Sequence, residues 1–188
     1  MSDAKTIVAY YRNHIHSDLH LVKQVDNFIY THKELNQKDF KIDFKDHIDN
    51  PDCLFCFRLC DKIGPINKLF SPNSDLKKYT DLLVVAAINN NLHLIAIEFK
   101  DSSKPSTLAE GHDQGMAGVA FFNYFNQLHD VIKDSNIANF KPNMRMFVVS
   151  RSKSYNTVKR NSSVLLKNSR MRIFQEKNSS TWLNDLIS

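Results

Sequence analysis

The sequence predicts an α+β (or α/β) fold: a central mixed β-sheet flanked by helices. Three observations predict it. Residues 82–88 (LLVVAAI) and 92–99 (LHLIAIEF) are short apolar runs rich in β-branched side chains. Both faces of both runs are apolar, which marks strands covered on two sides. Helical periodicity precedes and follows them, and another apolar run, residues 144–150 (MRMFVVS), comes after the second helix. The 188 residues are 42% hydrophobic with 13 Phe, enough to build a packed core. No repeat, low-complexity tract or Gly/Ser-rich linker divides them, so residues 1–188 read as a single domain.

In chain order, residues 5–36 carry Ile7, Tyr10, Tyr11, Ile15, Leu19, Val22, Val25 and Ile29 at spacings of three and four, an amphipathic helical stripe. Residues 40–44 and 53–60 alternate weakly and read as short strands. Residues 62–79 contain Gly64-Pro65 and Ser71-Pro72-Asn73 and read as a loop. Asn89-Asn90-Asn91 separates the two long apolar runs; Asn tolerates positive φ, so a tight hairpin fits there. Thr107-Leu-Ala-Glu110 has the form of a capping box and opens a helix to about Lys133. Its inner face would carry Gln114, Gly118, Phe121, Phe125, Leu128 and Ile132. Residues 171–174 read as a last strand, and Trp182, Leu183 and Leu186 suggest a short closing helix.

Charge is unevenly spread. The chain carries +5 overall, yet residues 151–188 alone hold eight Lys and Arg against two acids. That basic segment on a near-neutral body suits a polyanionic partner. No stretch approaches 18 consecutive apolar residues, so no spanning helix and no membrane partner are predicted. The odd count of three Cys, without a secretory signal, points to a reducing cytoplasmic, intracellular setting.

The chemistry gathers at the ends of the hairpin strands. Asp81 opens the first, and Glu98 and Lys100 close the second. Residues i and i+2 of a strand share a face, so Glu98 and Lys100 point the same way. A two-residue turn at Asn89-Asn90 sets Asp81 opposite Glu98; one at Asn90-Asn91 sets it opposite Lys100. Either register puts all three on one face, with opposed Cβ atoms about 5 Å apart. Two carboxylates that close repel each other and call for a cation. Hard oxygen ligands suit Mg²⁺ or Mn²⁺, with the Phe99 carbonyl as a third protein ligand. Lys100 would orient an attacking water or stabilise charge on the phosphate, and would hold Glu98 when no metal is bound.

Thr80-Asp81-Leu-Leu-Val-Val, a gap of sixteen residues after Asp81, then Glu98-Phe99-Lys100 resembles the PD-(D/E)xK nuclease superfamily. Thr80 replaces the nominal Pro. The resemblance spans about residues 1–150, with its sharp part between Asp81 and Gln114. The small basic build is similar to archaeal Holliday-junction resolvases and related viral nucleases. It implies a restriction-endonuclease-like core and a Mg²⁺-dependent (or Mn²⁺-dependent) deoxyribonuclease, an endonuclease hydrolysing phosphodiester bonds of DNA, with RNA left open. It implies catalytic roles for Asp81, Glu98, Lys100 and Gln114, metal ligation by Asp81, Glu98 and Phe99, and a homodimer. It also implies an acid from the first helix, for which Glu34, Asp26 and Asp18 are candidates. Lys104, Arg151, Lys153, Lys159 and Arg160 would hold the DNA backbone. The alternative is a catalytically inactive nucleic-acid-binding protein on the same fold.

Other signals are weaker. Cys53, Cys56 and Cys60 could bind Zn²⁺ with His47, yet Leu54, Phe55, Phe57 and Leu59 interleave, and a strand with small apolar Cys side chains explains the run equally well. His16 and His20 stand at i, i+4 of the predicted first helix and read as surface residues. His112 lies near Gln114 in sequence and is a candidate to touch the site. The literal Pro51-Asp52 lies outside the hairpin and is set aside.

Overall fold

The computed structural model describes residues 3–21, 25–26, 29–32, 40–44, 48, 50–59, 80–100, 104–133, 142–150 and 171–175. Helix α1 spans Ala4–His14. The Asp3 carboxylate caps it by accepting the Thr6 amide at 2.7 Å, and Ala4, Ile7, Val8 and Tyr11 form its buried face. Three short strands follow: β1 (Val25–Asp26), β2 (Ile29–His32) and β3 (Phe40–Asp43), an antiparallel sheet of their own. The main sheet takes β4 (Leu54–Phe57), β5 (Leu82–Ile88), β6 (Asn91–Lys100), β7 (Asn143–Ser150) and β8 (Met171–Gln175), in that spatial order. The β4–β5 and β5–β6 pairs are antiparallel; β6–β7 and β7–β8 are parallel. Helix α2 (Pro105–Lys133) is the crossover that parallel β6 and β7 require. The class is α+β, around a mixed sheet with helices.

The sheet separates two apolar layers. Leu83, Val85, Leu92, Leu94, Ala96, Phe55 and Phe57 face α1 and α2, where they meet Ile7, Tyr11 and Phe122. Leu82, Val84, Ile95, Ile97 and Phe99 face the other way, onto Leu21, Phe44 and Ile48. Nearly every residue of β5 and β6 is buried, as apolar runs on both faces require.

Several expectations change. The first helix stops at His14, well short of residue 36. Ile15 turns extended, Ser17–Leu19 forms a single 3₁₀ turn, and the chain then runs along the edge of β4. There Leu21 N donates to Cys56 O and Arg58 N to Leu19 O, each at 3.0 Å, and His20 pairs with Phe57. An unpaired strand edge offers backbone partners, and those satisfy the chain better than another helical turn. His16 and His20 are therefore not one turn apart on a helix. His16 Nδ1 accepts the Asp18 amide, and the His20 ring meets Phe55 and the Ile15 carbonyl.

The strand placed at 53–60 is shorter, because Pro51–Cys53 forms a 3₁₀ turn capped by Asn50. Helix α2 begins at Pro105, not at a Thr107 cap: Pro suits the first helical position, and Leu108 N closes the turn onto Lys104 O. Its inner face carries Gly111, Gly115, Gly118 and Phe122, whereas Leu128 is 40% exposed. The loop at 62–79, Glu34, His47, Cys60, Trp182, Leu183 and Leu186 lie outside the described residues, as do Arg151, Lys153, Lys159 and Arg160. No helix among the described residues is long and apolar enough to cross a membrane.

Candidate functional site

The site is built by the hairpin turn. Asn89 and Asn90 take φ of 50° and 60°, the left-handed pair that a type I′ turn needs, and Ile88 pairs with Asn91. The register therefore runs Leu82 to Ile97, which places Asp81 across from Glu98. This is the first of the two registers the triple Asn allowed. Glu98 lies on the helix-covered face, in line with Leu92, Leu94 and Ala96.

Asp81 and Glu98 interlock. The Asp81 amide donates to Glu98 Oε2 at 3.1 Å, and the Phe99 amide donates to Asp81 Oδ2 at 3.0 Å. Glu98 is thus held by the main-chain N–H of Asp81, and Asp81 by the N–H of the residue after Glu98. Asp81 Oδ1 takes no hydrogen bond from the described residues. Paired strand residues direct N–H and C=O to the same side, so the Phe99 carbonyl also faces the β5 side of β6.

Glu98 is 1% exposed. Burial, reinforced by the neighbouring Asp81 charge, pushes its carboxyl up to about 8, although the Lys100 ammonium and the hydrogen bonds pull it down. A buried carboxylate next to a second one is a poor place for negative charge without a cation. Lys100 fills that role here: its Nζ lies 3.0 Å from Glu98 Oε1.

Helix α2 forms the other wall. Lys100 Nζ also donates to Gln114 Oε1 and stands 3.8 Å from Glu110 Oε1. The lysine stem lies against Gly111, where a Cβ would come within 3.2 Å of Lys100 Cε and Cγ and 2.9 Å of Val148 Cγ1. Glycine at 111 therefore lets helix and strand approach closely enough for the ammonium to reach both. Glu110 was missed from sequence because it completes a capping-box pattern. With the helix starting at Pro105, its carboxylate is one turn before Gln114 on the side facing Lys100, and that spacing was the available signal.

The remaining candidates lie elsewhere. Asp52 pairs on the surface with Lys5 at 3.6 Å and Arg12 at 3.4 Å, fixing α1 to the 3₁₀ turn. Helix α1 contains no acid; Asp18 is exposed in the 3₁₀ turn, Asp26 belongs to β1, and Glu34 lies outside the described residues. His112 Nδ1 lies 3.5 Å from Asp113 Oδ1. Cys56 is buried in the layer opposite the helices, and burial pushes its thiol up, away from the thiolate a metal needs. Cys53 packs against the same layer. Lys104 is exposed immediately before α2, at the end of the sheet where Lys100 lies.

Among the described residues no group of three or more His, Cys, Asp and Glu is arranged to hold a metal. An ion at this site would rest on the Asp81 and Glu98 carboxylates, the Phe99 carbonyl and water. That donor set is hard and sparse, the kind Mg²⁺ accepts while keeping waters for substrate phosphate. Compared with known proteins, the chain matches no family model, no curated protein and no solved structure.

Proposed function

We propose that this chain is a divalent-metal-dependent nuclease of the PD-(D/E)xK kind, hydrolysing phosphodiester bonds in DNA. The observation that carries the reading is the interlock of Asp81 with buried Glu98 beside one lysine. The ammonium pairs with Glu98, and a structural ion pair has no use for the second acid that Asp81 sets across from it. The sequence of helix, antiparallel strands, helix and parallel strand supports a restriction-endonuclease-like core.

Asp81 and Glu98, with the Phe99 carbonyl, would hold Mg²⁺ or Mn²⁺. When bound, the ion supplies a Lewis acid for a phosphoryl oxygen and lowers the pKa of its water. Lys100 gives its ammonium to the attacking water or to charge on the phosphate. Gln114 Oε1 accepts a hydrogen bond from Lys100 Nζ and so aims the ammonium, and Glu110 adds a weaker pull from the solvent side. Lys104 and the basic residues of 151–188 would grip the DNA backbone, making affinity fall steeply with salt through counterion release. A homodimer would give two active sites for cutting both strands.

The test is cleavage of plasmid and branched DNA by the parent and by Asp81→Ala, with Mg²⁺, Mn²⁺ or EDTA. Cleavage by the parent alone, abolished by EDTA, is the expected result. Equal cleavage by both proteins rejects the site. Metal-independent DNA binding without cleavage supports the inactive nucleic-acid-binding alternative instead.

A further inference from the structure

Thr80 is fully buried, and its hydroxyl donates to the main-chain carbonyl of Gln114 at 2.6 Å. That carbonyl sits inside α2, where regular geometry pairs it with the amide of residue 118. Residue 118 is glycine, and a Cβ there would lie 2.5 Å from Thr80 Oγ1 and 2.8 Å from Leu83 Cδ2. The missing side chain leaves the space that the hydroxyl uses. Thr80 immediately precedes Asp81, and Gln114 is the residue whose side chain holds Lys100. One hydroxyl therefore ties the strand that delivers a carboxylate to the helix that aims the ammonium.

We propose that Thr80 is a positioning residue, fixing α2 against the start of β5 and so setting where Gln114 holds Lys100 relative to Asp81 and Glu98. This rests on the nuclease reading above and adds to it a residue that touches no substrate. Proline, the nominal residue at this position of the pattern, has no hydroxyl and could not make this tie.

Thr80→Val keeps the shape of the side chain but puts a methyl where the hydroxyl stands. Carbon–oxygen contacts settle at about 3.3–3.6 Å, so the helix and strand must part by on the order of 0.7 Å. Misplacement near 1 Å costs up to about 100-fold in rate, so kcat for DNA cleavage is expected to fall at least about tenfold. KM and the Mn²⁺ Kd should change by less than about twofold, because the carboxylates and the DNA-binding surface stay in place. Thr80→Ser keeps the hydroxyl and should restore kcat to within about threefold of the parent.

The ¹⁵N resonance of the Lys100 ammonium gives a readout free of turnover. Thr80→Val should shift it, and Thr80→Ser should leave it at the parent position. A Val variant matching the parent in both kcat and resonance overturns the proposal, as does a Ser variant as impaired as Val. If the Val protein fails to fold, Thr80→Ala compared with Thr80→Ser makes the same test. If the parent cuts no DNA, the nuclease reading falls, and the Lys100 resonance alone decides whether Thr80 positions it.

Discussion

Replacing Glu98 by Gln should stabilise the metal-free protein at alkaline pH and change its stability little at acid pH. Burial and the Asp81 charge raise the folded-state Glu98 carboxyl from its ordinary 4.5 to about 8. Between those values the folded protein keeps a proton that the unfolded chain releases. The unfolded state then binds fewer protons, so stability falls as pH rises through this window and levels off above 8. The ceiling on that loss is roughly 5 kcal/mol, at 1.36 kcal/mol per pH unit. Gln removes the ionisation entirely. It also loses one acceptor oxygen, at a cost of about 1 kcal/mol, because Asp81 N and Lys100 Nζ each bond a different oxygen of Glu98. The variant should therefore match the parent to within about 1 kcal/mol at pH 5 and be on the order of 2–4 kcal/mol more stable at pH 9. Urea unfolding of both proteins in EDTA at pH 5, 7 and 9 measures this. A difference between the two that stays constant across the three pH values refutes the assignment of a buried, charge-strained Glu98.

Two further outcomes follow from the same geometry. Lys100→Met removes the cation that neutralises Glu98, so the apo protein should melt lower, and Mn²⁺ should bind at least about fivefold tighter by titration calorimetry, since about 1 kcal/mol of competition is gone; weaker binding would mean that Lys100 does not compete for the seat. Asn90→Val places a β-branched residue at φ 60° and should cost about 1–2 kcal/mol in urea unfolding, whereas Asn90→Gly should be close to neutral.

The site was legible in the sequence because its geometry is local. A strand period of two fixes Glu98 with Lys100, and the Asn-rich break fixes the hairpin, leaving only one residue of register undecided. The positive φ of Asn89 and Asn90 decides it. Helix α2 was legible in extent but not in cap, since Pro105 competes with Thr107 for the start. Its inner face was legible at Gly118, Phe121 and Phe125, which pack toward the sheet, but not at Gly111 and Gly115, because glycines are silent in a hydrophobic pattern. The length of α1 was not legible. Spacings of three and four continue past His14, and what ends the helix is the distant edge of β4, which offers Leu21 and Arg58 their backbone partners. Thr80 and Glu110 were hidden for different reasons: Thr80 acts through Gln114, 34 positions away, and Glu110 through a helix start that local pattern misplaced.

The central claim is that Asp81 and Glu98 share one divalent ion. Anomalous diffraction from crystals grown with Mn²⁺ tests it directly. A single peak at about 2.0–2.3 Å from oxygens of both carboxylates, with the Phe99 carbonyl in the same shell and the Lys100 ammonium withdrawn from Glu98, is the predicted result. A Lys100–Glu98 pair unchanged at saturating Mn²⁺, with the metal absent or bound elsewhere, would contradict it.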